Sequence, residues 1–140
     1  MSAIISIPGR FRKAVWNESN SSYLRIYLNN RRPNGKIMGK EEVIFTKEEC
    51  DRITKDVVDG QMLITIDVHG MITHDAWRLI HNTCVLNQHQ REDRFTIRVI
   101  HGYNGGVAIK KAIWSNPVTS RVQRMQSCAW NPGETSILVA

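Results

Sequence analysis

The sequence predicts an α/β fold: a two-layer α/β sandwich with the order β-α-β-α-β-β in a mixed, mainly parallel sheet, preceded by a basic N-terminal extension and one helix. From residue 61 onward, apolar runs of strand length alternate with segments of helical periodicity, which is typical of strand–helix–strand units. Two of these runs end in the same dipeptide, at His69-Gly70 and His101-Gly102, and a helical segment follows each. The predicted boundaries are 1–45 for the extension, 46–60 for the helix and 61–140 for the domain.

Composition and length exclude several classes of protein. A chain of 140 residues with 41% hydrophobic residues is ordinary for one globular domain. No apolar stretch approaches the roughly 20 residues that a membrane helix needs, and no long apolar segment of a secretory signal is present, so a cytoplasmic location is expected. The cysteines Cys50, Cys84 and Cys128 are widely spaced and form no CxxC pair, which disfavours a structural zinc site or a disulfide framework.

The net charge of +6 is concentrated near the N-terminus. Residues 1–40 contain eight basic side chains and one acidic side chain, whereas the remaining hundred residues contain 11 basic and 12 acidic ones. Such asymmetry predicts a segment that binds a polyanion such as DNA or RNA. A solvated tail that only aids solubility is the alternative.

The N-terminal half is predicted to contain little regular structure. Residues 1–20 are expected to be irregular, Tyr23 to Leu28 to form a short strand, and residues 29–36 an exposed basic loop. Thr46 followed by Glu49 has the spacing of a capping box. A helix is therefore predicted from Lys47 to Val58, with Asp59-Gly60 ending it.

The C-terminal half supplies the strand and helix pattern. The strands are predicted at Leu63–Val68, Phe95–Ile100, Arg121–Cys128 and Thr135–Val139, the first of them covered on both faces and the last two forming a hairpin. One helix begins after Thr73, with Ala76, Trp77, Ile80 and Cys84 in a buried stripe. Another runs from Val107 to about Trp114. A right-handed crossover would make the first two strands parallel.

Three side chains are predicted to form a candidate catalytic site at the ends of the first two strands: Asp67, His69 and His101. Asp67 and His69 are two positions apart, so on a strand they share a face. Carboxyl ends of parallel strands meet at one sheet edge, where open α/β sheets bind ligands, so we expect one solvent-open site. A carboxylate with imidazoles can carry out acid–base chemistry or, through Asp67 and His69, hold Mg²⁺ or Mn²⁺. The alternative is that Asp67 and His69 only cap the next helix.

Phosphate binding is predicted for the glycine-rich loop that follows His101 and for the basic segment near the N-terminus. Glycines allow close backbone approach, and free N–H groups at a helix start attract phosphate, although an ordinary glycine-rich turn is the alternative. The predicted phosphate-binding residues are Gly102, Tyr103, Asn104, Gly105, Gly106, Lys110, Arg31, Arg32 and Lys36.

The sequence gives weaker indications of function for the other histidines and for the aromatic residues. His74 is close enough in sequence to approach the site, whereas His81 and His89 are expected to face solvent. Tyr103 is a candidate for stacking on a base. Core or hairpin packing is expected instead for the tryptophans Trp77, Trp114 and Trp130.

The region from about residue 61 resembles the small MutS-related (Smr) domain in three ordered motifs. Ile66-Asp67-Val68-His69-Gly70 resembles the family's Leu-Asp-Leu-His-Gly signature, and Thr73 and Ala76 match its continuation into a helix. Val99-Ile100-His101-Gly102 resembles the second signature, an Ile-His-Gly turn that enters a glycine-rich loop. Asn131-Pro132-Gly133-Glu134-Thr135 resembles the Asn-Pro-Gly-x-Thr turn of one bacterial branch.

The resemblance implies nucleic-acid binding, with nicking or endonuclease activity on DNA or RNA in some relatives. The loop Gly102-Tyr103-Asn104-Gly105-Gly106 departs from the common Gly-Lys-Gly-Thr/Ser-Gly form and is similar to a branch with Gly-Tyr-Asn. Three hypotheses follow: a stand-alone Smr-like endonuclease, a non-catalytic module that binds DNA or RNA, and an adaptor whose basic segment docks on an acidic partner protein.

Overall fold

A computed structural model describes residues 14–16, 23–31, 37–90, 94–102 and 106–140, with side chains described in 43–88, 94–102 and 106–140. The fold is mixed α/β, with a three-stranded sheet, a five-stranded mixed sheet and three helices in the described residues. The elements in chain order are β1 (Ala14–Trp16), β2 (Tyr23–Arg31), β3 (Ile37–Thr46), α1 (Lys47–Asp51), β4 (Ile53–Val58), β5 (Gln61–Asp67), α2 (Thr73–Gln90), β6 (Phe95–Ile100), α3 (Val107–Ser115), β7 (Val122–Cys128) and β8 (Asn131–Val139).

The five-stranded sheet has the order β4-β5-β6-β8-β7, and among its described strands only β5 and β6 pair in parallel. The prediction of a mainly parallel sheet is therefore wrong. The crossover through α2 makes β5 and β6 parallel, as expected. However, β8 lies between β6 and β7 and runs antiparallel to both, and a hairpin adds β4 antiparallel to β5.

The predicted helix from Lys47 to Val58 is wrong beyond its first turn. Its capping box is present, because Thr46 Oγ1 accepts from the Glu49 main-chain N–H at 3.1 Å and Glu49 Oε1 accepts from that of Thr46 at 3.0 Å. The helix ends at Asp51 and β4 follows, since its β-branched residues suit a strand. Asp59 and Gly60 both have positive φ, 52° and 77°, and form the two-residue turn of a β4–β5 hairpin.

The N-terminal part contains more regular structure than the sequence suggested. Strand β2 begins at the predicted Tyr23 but extends to Arg31, and it pairs with β1 and β3, neither of which was predicted. Val43 and Phe45 of β3 are buried in the same hydrophobic cluster as the five-stranded sheet and its helices. Strand β3, which lies almost wholly in the segment predicted as a basic N-terminal extension (1–45), therefore contributes to the main core.

The hydrophobic core contains buried residues of β3, of the helices α2 and α3, and of the five-stranded sheet. Alternate strand residues point into it, including Ile64 and Ile66 of β5 and Ile97 and Val99 of β6. The intervening residues of β5 are only partly buried, so the prediction that both faces of this strand are covered is wrong. None of the helices in the described ranges is long and apolar enough to cross a bilayer.

Candidate functional site

The fold gathers several chain segments at one edge of the five-stranded sheet, which we call the site edge. The carboxyl ends of β5 and β6 meet there, joined by a hydrogen bond from the Val68 main-chain N–H to the Ile100 carbonyl at 2.9 Å. Helix α3 begins beside them, directly after the loop that follows β6. Because β8 runs antiparallel to β6, the turn between β7 and β8 lies at this edge too. The structure thus brings His69 and His101 to neighbouring strand ends.

Asp67 and His69 form a hydrogen-bonded pair on the solvent-facing side of the site edge. Asp67 Oδ1 accepts from the His69 main-chain N–H at 3.2 Å and from His69 Nδ1. The side chains are 39% and 66% exposed, respectively. Because Nδ1 donates to the carboxylate, the lone pair of a neutral His69 lies on Nε2, which no described residue hydrogen-bonds. The hydrogen bond within the pair fixes the orientation of the His69 ring, and both side chains are exposed to a ligand.

Arg52 holds the strand end that carries this pair, and the sequence analysis did not identify it. Its Nη1 donates to the main-chain carbonyls of Asp67 at 3.0 Å and His69 at 3.2 Å, and its Nη2 bonds to Glu48 at 3.1 Å. The Arg52 carbonyl also accepts from the Asp67 N–H at 2.9 Å. Nη1 thus bonds to both carbonyls while Nη2 bonds to the carboxylate, so one guanidinium connects α1 to the end of β5. The misassigned helix concealed this role, because it placed Arg52 away from the β5 end.

His101 lies beneath the surface of the site edge and is only 2% exposed. Its Nδ1 lies 3.1 Å from the Gly102 carbonyl and its Nε2 lies 3.0 Å from Thr135 Oγ1. Since a carbonyl only accepts, Nδ1 carries the proton and Nε2 accepts from the Thr135 hydroxyl, which in turn accepts from Trp114 Nε1 at 3.4 Å. The expectation that all three predicted side chains are open to solvent is therefore wrong for His101.

The electrostatics of His101 favour its neutral form. Burial lowers the pKa of the imidazole below its ordinary 6.5, and the positive charge of Lys110 lowers it further, whereas the Gly102 carbonyl and Glu134 act in the opposite direction. Both ring nitrogens are thus engaged in a neutral, structural network. This arrangement suits a residue that positions the Gly102 turn rather than one that exchanges protons with a ligand.

Glycines allow the chain segments at the site edge to approach closely. Gly102 has φ +82°, and a Cβ built on it would lie 3.5 Å from the His69 Cβ, which shows how near the two turns are. A Cβ on Gly106 would overlap the carbonyl oxygens of His101 and Gly102. A Cβ on Gly133 would lie 3.3 Å from the Gly102 main chain. Gly106 and Gly133 therefore allow close packing, whereas Gly102 is favoured by its positive φ.

Two of the residues predicted to bind phosphate, Gly106 and Lys110, lie at the start of α3. Gly106 is its N-cap and makes no side-chain capping bond, and Lys110 lies partly buried in the first turns. The positive end of the helix and the Lys110 ammonium therefore share this part of the site edge. The remaining predicted loop residues, Tyr103, Asn104 and Gly105, lie outside the described residues.

The other predicted basic and histidine residues are placed differently. Arg31 belongs to β2, whereas Arg32 and Lys36 lie outside the described residues. His74 is exposed, and nothing is described of the side chain of His89.

His81 does not face solvent, contrary to expectation. Its Nδ1 donates to the Val118 carbonyl at 2.6 Å, and its ring stacks on Trp77 with the ring centroids 5.1 Å apart. The Trp77 indole N–H in turn donates to the Asn116 carbonyl at 2.7 Å. His81 thus helps to attach α2 to the segment after α3.

The described side chains give little support for a metal site or for a reactive thiol at Cys50 or Cys84. The described residues contain no group of three or more His, Cys, Asp or Glu side chains that could hold a metal ion. Asp67 and His69 offer only the second carboxylate oxygen and Nε2, because Oδ1 and Nδ1 bond to each other. Burial raises the pKa of Cys84 to about 12, and burial with the charges of Glu49 and Asp51 raises that of Cys50 to about 11, so both thiols stay protonated.

Trp130 departs most from its predicted role. It was expected to pack within the hairpin, yet it is 88% exposed in the turn between β7 and β8. Ile72 after β5 and Val107 at the start of α3 are also exposed. Apolar side chains thus lie in solvent beside the polar pair of the site edge.

Comparison of the chain with protein-family models, with curated proteins and with solved structures gives no match. What the protein does must therefore be inferred from the residues of the site edge and their geometry.

Proposed function

We propose that this protein is an Smr-like nucleic-acid-binding protein whose ligand, DNA or RNA, contacts the site edge. The observation that carries the proposal is the exposed Asp67–His69 pair beside the N-terminus of α3. A phosphate seated against the first main-chain N–H groups of α3 and the Lys110 ammonium would lie next to the free Nε2 of His69. The net charge of +6, concentrated in residues 1–40, supplies long-range attraction for a phosphate backbone.

A second candidate function, cleavage of a phosphodiester bond, is favoured by the hydrogen bond between Asp67 and His69. The carboxylate fixes the ring with its Nε2 lone pair toward solvent and stabilises the imidazolium that forms when Nε2 accepts a proton. His69 would take a proton from the attacking water or ribose hydroxyl and return it to the departing oxygen. His101, predicted as catalytic, would instead position Gly102 and the start of α3. If Mg²⁺ or Mn²⁺ takes part, the second carboxylate oxygen of Asp67 is the ligand that would leave Nε2 of His69 able to accept the proton.

We also propose a finer architecture and a cellular location for the protein. We assign residues 61–140 to a two-layer Smr-like α/β sandwich, supported by the chain order β5-α2-β6-α3-β7-β8 and by the contact between α2 and α3. A cytoplasmic location suits a protein that meets DNA or RNA and carries the free thiols Cys50, Cys84 and Cys128.

Binding is tested by fluorescence anisotropy with labelled single-stranded RNA, single-stranded DNA and duplex DNA. His69→Gln should weaken binding, whereas His74→Gln, which changes an exposed histidine on α2, should not. If the wild-type protein binds none of the three ligands at low salt, the proposal fails and the adaptor hypothesis replaces it.

Cleavage is tested separately with supercoiled plasmid and structured RNA, with Mg²⁺, with Mn²⁺ and with EDTA. Activity that disappears in Asp67→Asn but persists in Asp56→Asn, a matched change on the exposed face of β4, would support the enzyme. Binding without any cleavage would leave the non-catalytic module.

A further inference from the structure

Trp130 is 88% exposed, against 40% for Trp114, and Trp77 is partly buried. The indole N–H of Trp77 bonds to the Asn116 carbonyl and that of Trp114 lies 3.4 Å from Thr135 Oγ1, so both rings are attached to the fold. Trp130 is 88% exposed, and no described residue hydrogen-bonds its ring. Because removing a large apolar ring from water is favourable, Trp130 offers binding energy to a partner that stacks on it.

Main-chain contacts connect Trp130 to the Asp67–His69 pair. His69 lies against Gly102, and the Gly102 N–H donates to the Gly133 carbonyl at 3.0 Å. The Gly133 N–H in turn donates to Asn131 Oδ1 at 3.1 Å, and Trp130 precedes Asn131 in the chain. The indole therefore projects from a turn that is hydrogen-bonded to the same strand ends as the polar pair. A nucleic-acid chain bound at His69 would therefore extend toward the Trp130 indole.

Given the proposed function, we infer that Trp130 stacks on an unpaired base of a single-stranded nucleic acid whose backbone lies at the site edge. Trp130 presents a flat aromatic ring in solvent, and the net charge of +6 favours a polyanionic ligand over an apolar protein partner. A nucleobase offers a flat face of matching size, and stacking on aromatic side chains is a general means of binding single strands. Bases within a duplex have both faces covered, so Trp130 would select unpaired nucleotides.

The test compares two labelled oligonucleotides of equal length, oligo(dT) and oligo(U), with their abasic counterparts and with a duplex. Trp130→Ala should weaken binding of the two base-containing single strands about tenfold or more, which corresponds to the loss of one base–aromatic stack. Binding of the duplex and of the abasic strands should be unchanged, because their phosphate contacts remain. Trp130→Phe should retain most of the affinity.

Val57→Ala is the matched control, since Val57 is an exposed apolar residue of β4 at the opposite end of the sheet. It should leave every affinity unchanged. If wild type binds single strands and Trp130→Ala binds them equally well, the stacking role is overturned while the proposed function stands. Equal weakening toward abasic and base-containing strands would also overturn it, because stacking needs a base. If wild type binds no nucleic acid, both proposals fall.

Discussion

Asp67 Oδ1 accepts hydrogen bonds from two donors of one residue, the main-chain N–H of His69 and its ring Nδ1. The pair is a consequence of local geometry: the two residues are two positions apart where β5 ends and Gly70, with φ +77°, turns the chain toward α2. The orientation of the imidazole therefore depends on a single carboxylate, and that carboxylate depends on the position of the strand end.

We predict that Asp67→Asn impairs catalysis more than binding. The amide can still accept from the main-chain N–H, but it does not stabilise an imidazolium, so any cleavage should fall at least roughly a hundredfold, the usual scale of general acid–base catalysis. Single-turnover cleavage rates and anisotropy titrations on the same substrate separate the two effects. Undiminished cleavage would show that another site or a contaminant is responsible.

We predict that Arg52→Lys disturbs the Asp67–His69 pair through the main chain of the strand end and not through direct contact with a ligand. A single ammonium cannot reproduce the fork that bonds the carbonyls of Asp67 and His69 together with Glu48. The NMR chemical shifts of the His69 ring should change, and nucleic-acid affinity should fall. Lys47→Arg is a control on α1 that keeps the charge. Unaltered chemical shifts of the His69 ring in Arg52→Lys would show that the strand end is held by other contacts.

We predict that His101 makes the stability depend on pH. Its pKa is lowered in the folded protein, mainly by burial, so as the pH falls below about 6.5 the unfolded chain binds the proton first. The stabilisation that neutral His101 provides is therefore complete above pH 6.5 and is lost as the pH falls through the lower folded-state pKa. Urea unfolding at a series of pH values should show this loss in wild type and in the His74→Gln control, and less of it in His101→Gln.

His101→Ala should also destabilise the protein, in contrast to a change at an exposed strand end. The substitution leaves the Thr135 hydroxyl and the Gly102 carbonyl without their ring partners and opens a cavity in a buried position. We expect the free energy of unfolding to fall by about 2 kcal/mol or more. A variant as stable as wild type would mean that the buried network contributes nothing.

We predict that two glycines of the site edge differ in what they tolerate. A Cβ at Gly70 meets no atom within 4 Å, so Gly70→Ala costs only the left-handed backbone conformation, about 1–2 kcal/mol. At Gly106 the added carbon overlaps the carbonyl oxygens of His101 and Gly102, so the start of α3 must move. Gly106→Ala should therefore lower the thermal midpoint more than Gly70→Ala and also weaken nucleic-acid binding. Equal midpoints would contradict the close approach.

The sequence was informative where a single local rule decides the structure. The strands β5, β6 and β8 have alternating or continuous apolar residues, and the Thr46–Glu49 capping box is where it was predicted. The Asp59-Gly60 pair fits a helix end and a hairpin turn alike, and the β-branched residues before it favour the hairpin. The sheet order could not be predicted, because it depends on β8 pairing with β6 over a long stretch of chain.

For the candidate site, the spacing of the motifs predicted which edge of the sheet carries the side chains, but not how deeply each side chain is buried. Asp67 and His69 are exposed, whereas the same His-Gly motif places His101 inside, because β8 lies against β6 and offers Thr135 as a partner. Arg52 and Trp130 could not be identified in advance. The function of each depends on strands and turns that meet only in the folded chain.

Finally, we predict that the basic residues near the N-terminus supply affinity and not chemistry. Residues 1–40 carry eight basic side chains and one acidic side chain, whereas the rest of the chain is close to neutral. Reversing the charges of Arg31, Arg32 and Lys36 should weaken binding at low salt. It should also flatten the dependence of log affinity on log salt by about 0.9 for each duplex phosphate contact that is lost. The single-turnover cleavage rate at saturating substrate should stay the same, because the proposed chemistry is carried out by Asp67 and His69.

The informative control for this prediction is a second charge reversal, at Lys111, Arg121 and Arg124, which changes the net charge equally in the C-terminal half. If long-range attraction by net charge alone were responsible, both triple variants would lose affinity and salt dependence to the same extent. A specific contact between the N-terminal segment and the phosphate backbone predicts a larger loss for the variant at Arg31, Arg32 and Lys36. Unaltered affinity and salt slope in that variant would show that these three residues do not touch the nucleic acid, and the polyanion-binding role of the segment would then be wrong.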